Sequence, residues 1–66
     1  PKIVDHEEQR KHIAEAMWRV ILRDGMEGAT VRRVAAEAGM SAGALRHYFK
    51  RQDDLLVYAM RLVNER

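Results

Sequence analysis

The stretch that decides the fold is Gly39-Met40-Ser41-Ala42-Gly43-Ala44-Leu45-Arg46-His47-Tyr48-Phe49. It predicts a tight turn: Gly39 can take the left-handed conformation that ends a helix, and Ser41 can cap the next helix by accepting from its free amides. A short helix follows, and its apolar side is formed by Leu45, Tyr48 and Phe49. Its opposite side carries Gly43, Arg46, His47 and Lys50 at spacings of three and four. One side is therefore suited to packing and the other to meeting a polyanion.

Working outward from this stretch, the whole chain is predicted to be helical. No alternating strand pattern occurs, so the fold class is all-α: a homeodomain-like, helix-turn-helix three-helix bundle followed by the start of a fourth, connecting helix. The predicted helices cover about residues 5–23, 31–38, 42–49 and 53–66. The apolar stripe expected to face the core from the first helix consists of Ile13, Ala14, Met17, Trp18, Ile21 and Leu22.

Helix boundaries are predicted from capping residues and glycines. Asp5, Thr30 and Asp53 are the predicted N-caps of the first, second and fourth helices. Gly25 and Gly39 are predicted to end the first and second helices.

The fourth helix is predicted to be apolar on more than one face. Its apolar residues are Leu55, Leu56, Val57, Tyr58, Ala59, Met60, Leu62 and Val63. A lone surface helix does not show this pattern, so a further domain or a partner chain is expected to cover part of it. Because the sequence stops at Arg66 inside this helical pattern, we expect the chain to be a fragment whose missing part lies downstream.

The composition fits one small domain. The chain has 66 residues, no cysteine, and 12 basic against 10 acidic residues, for a net charge of +2. The absence of cysteine excludes disulfides and thiolate metal sites, and no apolar stretch is long enough to span a bilayer. A soluble, cytoplasmic protein is expected. The modest net charge does not by itself indicate that the protein binds nucleic acid. The positions of the charged residues are therefore more informative than their sum.

A longer stretch around the turn carries a family resemblance. The residues Thr30-Val31-Arg32-Arg33-Val34-Ala35-Ala36-Glu37-Ala38-Gly39-Met40-Ser41-Ala42-Gly43-Ala44-Leu45-Arg46-His47-Tyr48-Phe49, followed by Asp53-Asp54-Leu55-Leu56, resemble the N-terminal DNA-binding domain of TetR-family bacterial transcriptional regulators. The similarity covers roughly residues 8–63. It implies a homodimer that binds double-stranded DNA at a near-palindromic operator. It also implies a C-terminal ligand-binding and dimerisation domain, absent from this chain, through which a small-molecule effector releases a repressor from its operator.

Two positions depart from the family's pattern. Arg46 stands where members usually have Tyr, and its guanidinium can make a bidentate contact with guanine or grip a phosphate. Gln52 stands where members usually have a Lys that reaches a phosphate. Gln52 can still donate a hydrogen bond but has no charge, so phosphate anchoring at this end would depend on Lys50 or Arg51.

The candidate DNA-binding residues fall into four groups. On the third helix, Arg46 and His47 are expected to reach bases or phosphates, while Gly43 would allow close approach of the backbone. The residues expected to grip the DNA backbone are Thr30, Ser41, Tyr48 and Lys50. Arg32 and Arg33 would meet a phosphate at the start of the second helix, and Ala42 and Ala44 offer methyl groups to thymine.

Simpler interpretations of these residues remain open. Arg33 could pair with Glu37 one turn later, with Arg32 merely solvated. Gly43 could serve tight packing against the second helix. Lys50 is also favoured simply as a cation at a helix C-terminus.

No other chemistry is predicted. His6, His12 and His47 do not form a metal-binding set, and no cofactor site is expected. No nucleophile, base and oxyanion arrangement suggests an enzyme, and Trp18 is expected in the core. The competing hypothesis is a small helical protein-interaction module that docks through its apolar fourth helix.

Overall fold

The computed structural model describes residues 6–64. It contains four α-helices: α1 (His6–Asp24), α2 (Val31–Ala38), α3 (Ala42–Tyr48) and α4 (Gln52–Asn64). A short 3₁₀ helix (Met26–Gly28) lies between α1 and α2. No strand occurs within residues 6–64, so the all-α prediction is confirmed.

The core is organised around α1. This helix packs against α2, α3 and α4, and α2 also packs against α3. The largest fully buried side chains come from all four helices: Ile13, Met17, Val20, Val34, Leu45 and Leu55. The three helices of the bundle, α1, α2 and α3, therefore share one apolar centre with the first turns of α4, and burial of these side chains is the main force that holds the helices together.

Two glycines end helices as predicted. Gly25 follows α1 with φ 84° and donates its N–H to the carbonyl of Ile21 at 2.8 Å. Gly39 follows α2 with φ 77°, a left-handed conformation that other residues adopt only with strain. The next amide, of Met40, donates to the carbonyl of Ala35 at 2.9 Å, which satisfies a carbonyl at the end of α2.

Two hydroxyl side chains cap helices as predicted. Thr30 Oγ1 accepts a hydrogen bond from the backbone N–H of Arg33 at 3.2 Å. Ser41 Oγ accepts one from the backbone N–H of Ala44 at 3.1 Å. Both N-cap residues have extended backbone angles, which is the usual geometry for this role. The turn between α2 and α3 is thus fixed by a glycine at one end and a serine at the other.

Several helix boundaries differ from the predicted ones by one residue. α3 ends at Tyr48, and Phe49 is its C-cap with extended angles. α4 begins at Gln52, and the carbonyl of Arg51 accepts from the amide of Leu55 at 3.3 Å. Asp53 is therefore not the N-cap of α4 but lies in its first turn. The 3₁₀ helix was not predicted, and the predicted cap Asp5 and residues 65–66 lie outside the described residues.

The prediction for Leu22 was also wrong. Leu22 continues the apolar stripe of α1 in the sequence, yet it is 83% exposed. It lies near the C-terminal end of α1, at the edge of a groove shared with Trp18, Leu62 and Val63, and no described helix covers it. The apolar pattern of α1 therefore continues past the point where the neighbouring helices cover it.

Polar contacts connect α1 with the helices around it. Trp18 is half-buried, and its Nε1–H donates to the carbonyl of Ala59 in α4 at 3.0 Å. His12 Nε2 lies 3.0 Å from the carbonyl of Ala38, the last residue of α2. Because a carbonyl can only accept, this ring nitrogen carries the proton. Among residues 6–64, no helix has the length and hydropathy needed to cross a membrane.

Candidate nucleic-acid interface

α3 divides into a buried side and an exposed side, as its pattern predicts. Leu45 is fully buried, Phe49 is 5% exposed and Tyr48 is half-buried. Arg46 and His47 are exposed on the other side. The apolar side chains thus anchor a helix of only seven residues while its basic side chains stay at the surface.

All the predicted DNA-binding residues lie at the surface. Those that are largely exposed are Thr30, Arg32, Arg33, Ser41, Gly43, Ala44, Arg46, His47 and Lys50. Ala42 and Tyr48 are partly exposed. The short turn brings them onto two consecutive elements, the first turn of α2 and the length of α3.

Gly43 lies on open surface. A methyl group added at Gly43 would meet no side chain closer than Ser41 Oγ, at 4.0 Å. Tight packing against α2 therefore does not explain this glycine. Its helix-destabilising effect of roughly 0.5–1 kcal/mol relative to Ala has no compensating contact among the described residues.

The first turn of α2 presents two arginines. Arg33 pairs with Asp24 at the end of α1, with Nη1 and Oδ2 3.2 Å apart, and its side chain is 60% exposed. The proposed alternative partner Glu37 was wrong, because that carboxylate faces α1 instead. Arg32 is exposed and forms no ion pair with any residue in the range 6–64. An exposed pair such as Arg33–Asp24 contributes little stability, so a phosphate can displace the carboxylate at small cost.

Glu37 ties the outer side of α2 to α1. Its carboxylate accepts from Arg19 Nε at 2.9 Å and from Arg23 Nη1 at 3.1 Å. Hydrogen bonds from Arg19 and then Arg23 lower the pKa of Glu37 below its ordinary value. The same contact with Glu37, followed by that with Asp24, raises the pKa of Arg23. These ion pairs join α2 to α1.

His47 belongs to a cluster of aromatic rings that joins the start of α1 to α3. Its ring centroid lies 5.5 Å from that of Tyr48 and 5.9 Å from that of His6. The rings of His6 and Tyr48 are 4.8 Å apart. Sequence reasoning missed His6 as a neighbour of α3, and no local signal could have revealed a contact between residues so far apart in the chain.

A basic groove adjoins the C-terminal end of α3. It has a volume of about 420 Å³ and is lined by Lys50 together with Arg10 and Arg61. The guanidinium of Arg10 lies 5.7 Å from the centroid of Phe49, within the range of a cation–π contact. Asp54 is the carboxylate in its lining. The positive surface of α3 therefore continues onto α1 and α4.

Gln52 is exposed, but its side-chain amide is used in a hydrogen bond within the protein. Its Nε2 donates to the carbonyl of Ala29 at 2.6 Å. The departure from lysine at this position was visible in the sequence, but the acceptor, in the segment that enters α2, was not.

An α2–turn–α3 unit with a buried anchor on one side and exposed cations on the other defines a helix-turn-helix DNA-binding domain. The chain matches the family described as bacterial regulatory proteins, tetR family, over residues 13–59, and it belongs to that family. It is thus a DNA-binding regulatory domain, and the interpretation as a protein-interaction module is not favoured.

Curated relatives agree with this assignment. The chain is 65% identical over its whole length to the HTH-type transcriptional regulator PksA of Bacillus subtilis (strain 168), and it covers 32% of that protein. It is 38% identical to the HTH-type transcriptional regulator BetI 1 of Chromohalobacter salexigens, over 96% of this chain and 31% of that protein. The chain therefore spans about a third of the length of the curated relatives it matches. No solved structure matches it.

Proposed function

We propose that α3 enters the major groove of double-stranded DNA, where Arg46 and His47 reach base edges or phosphates. The observation that carries the proposal is the division of α3, which the buried Leu45 and the C-cap residue Phe49 anchor while its basic side stays exposed. A guanidinium in this position can make a bidentate contact with guanine.

The DNA backbone is gripped on both sides of α3. Ser41, Tyr48 and Lys50 contact phosphates along this helix. Gly43 allows its backbone to approach the DNA closely, and Ala42 and Ala44 offer methyl groups to thymine. Thr30, Arg32 and Arg33 hold a second phosphate at the start of α2, where the amides of the first turn also point outward. These contacts fix the register, and Arg46 supplies specificity.

The functional form is a homodimer, in which two copies bind a near-palindromic operator with half-sites about 34–36 Å apart or a multiple of that distance. Dimerisation and the binding of a small-molecule effector belong to a further domain, and the whole protein acts as a cytoplasmic repressor that the effector releases. The relatives named as transcriptional regulators, each about three times as long as this chain, support this arrangement. The exposed Val57, Met60 and Val63 of α4 suit a surface that the further domain covers.

Amide chemical-shift mapping tests the proposed face. The 66-residue chain is titrated with a mixed-sequence duplex at low and then moderate salt. Shifts at residues 30–33 and 41–52 that fade as salt rises are expected, because phosphate contacts release counterions. Shifts confined to residues 55–63 would contradict the proposal and favour docking through α4.

Substitution of Arg46 tests the assignment of base contact. In the full-length protein with a selected operator, Arg46→Ala is expected to weaken specific binding by about 1–3 kcal/mol. Lys50→Ala is expected to weaken operator and non-specific DNA alike, and Lys11→Ala, a matched exposed lysine on α1, is expected to leave both unchanged. Unchanged operator affinity in Arg46→Ala would refute the role of Arg46.

A further inference from the structure

The hydrogen bond of Gln52 lies outside the main helix packing. Extensive contacts join α1 with each of the other α-helices and α2 with α3, whereas α2 and α4 are not packed together in this way. Gln52 is the first residue of α4, and its acceptor Ala29 stands 23 positions earlier in the chain. The bond therefore links α4 directly to the segment that enters α2.

The carbonyl of Ala29 needs such a donor. Ala29 is 1% exposed, so its backbone groups are shielded from water. Its N–H donates to the carbonyl of Met26, but its carbonyl precedes the helical ladder, whose first acceptor is Thr30, bonded by Val34 N–H at 2.9 Å. A buried carbonyl without a partner is costly, and the side-chain amide of Gln52 supplies the partner.

We infer that Gln52 is a positioning residue for DNA binding. By donating a hydrogen bond to the carbonyl of Ala29, it fixes the backbone immediately before the N-cap Thr30. It thereby sets the direction in which the side chains of Arg32 and Arg33 project from the surface. This inference rests on the proposed contact between the start of α2 and a phosphate. It requires no contact between Gln52 and DNA.

Removal of the donor tests this role. Gln52→Met keeps the length of the side chain but cannot donate, and Gln9→Met makes the same change on α1. Both variants are checked for wild-type helical circular dichroism. In the free protein, Gln52→Met is expected to shift the amide signals of residues 29–33, while Gln9→Met leaves them in place.

The same variants are compared in binding to a mixed-sequence duplex of about 20 base pairs, long enough for two half-sites. Non-specific binding is the right probe because it reports phosphate contacts. Gln52→Met is expected to weaken binding about threefold to tenfold, the range of one net hydrogen bond, and Gln9→Met by less than about twofold. Gln52→Lys retains a donor that can reach Ala29 and is expected to restore the wild-type amide signals of residues 29–33.

A double-mutant cycle separates positioning from direct contact. Thr30→Ala removes the cap of the same helix end, so its effect on DNA affinity is expected to be non-additive with that of Gln52→Met. Additive losses without amide shifts in the free protein would show that Gln52 touches a phosphate itself and would overturn the inference. Amide shifts with unchanged affinity would overturn it too, because the link would then be structural only. Failure of the wild-type chain to bind any duplex would instead contradict the proposed function, and the role of Gln52 in DNA binding with it.

Discussion

Leu45 is the side chain whose truncation most directly tests how α3 is held. It is fully buried, and it anchors a helix of seven residues from which the basic side chains project. Truncating a buried leucine to alanine costs about 2–5 kcal/mol, because apolar contacts are lost and a cavity remains. A 66-residue domain is expected to have only about 3–10 kcal/mol of folding stability. Leu45→Ala should therefore remove a large share of the total.

Leu22 provides a matched control for the same chemical change. Its side chain is 83% exposed, so Leu22→Ala removes the same atoms from a site that already faces water in this chain. Surface substitutions of this kind change stability by less than about 0.5 kcal/mol. The pair also tests a point on which the sequence pattern was wrong, since the helical period places Leu22 on the core side of α1.

Thermal unfolding followed by circular dichroism measures both variants. For a domain of this size, 1 kcal/mol shifts the midpoint by roughly 4–8 °C. Leu45→Ala is therefore expected to lower the midpoint by at least about 8 °C, and Leu22→Ala by less than about 4 °C. Equal shifts in the two variants, or a larger one for Leu22→Ala, would refute the assignment of buried and exposed faces.

Two further predictions concern the helix ends and the ion pairs of α2. Ser41→Ala is expected to lower the free energy of unfolding by about 1 kcal/mol, and Ser41→Gly by only a few tenths of a kcal/mol. Both variants lose the side-chain cap of α3, but glycine tolerates the N-cap geometry. A smaller loss for Ser41→Ala than for Ser41→Gly in urea titrations would contradict this prediction. Glu37 has a lowered pKa, so its ion pairs stabilise the fold above its ordinary pKa of 4.5 and lose that effect as pH falls through the lower value in the folded state. Glu37→Gln is accordingly expected to show a smaller loss of stability than the wild type below pH 4.5, and parallel losses would count against the ion pairs.

Local chemistry made much of the fold predictable. The segment between α2 and α3 has little conformational freedom. A glycine at its start adopts a left-handed conformation, and a serine at its end accepts a hydrogen bond from the backbone amide three residues further on. Gly39 and Ser41 both behave as the sequence indicates. The division of α3 into two faces follows from spacing alone, since Leu45 and Phe49 are one turn apart.

Contacts between distant segments were not predictable. Leu22 is exposed because its neighbours cover only part of α1, and a periodic pattern cannot reveal where that coverage ends. α4 begins at Gln52 rather than Asp53, and the side-chain amide of Gln52 donates a hydrogen bond to the carbonyl of Ala29, 23 positions earlier in the chain. The proximity of His6 to His47 is of the same kind. In the last two cases the sequence shows the side chain but not the distant residue that it contacts.

The two halves of the proposed interface differ in how they are held. α2 makes polar contacts at both ends, with Arg33 paired to Asp24 at its start and the carbonyl of Ala38 accepting a hydrogen bond from His12 at its end. α3 is anchored by apolar side chains, and Arg46 forms no ion pair within the part of the chain that the structure describes. A phosphate must displace Asp24 to engage Arg33, whereas Arg46 has no such competitor there. The start of α2 is thus suited to contacting the DNA backbone and setting the register of the domain on it. Arg46 on α3, unpaired among the described residues, is suited to contacting base edges in the groove.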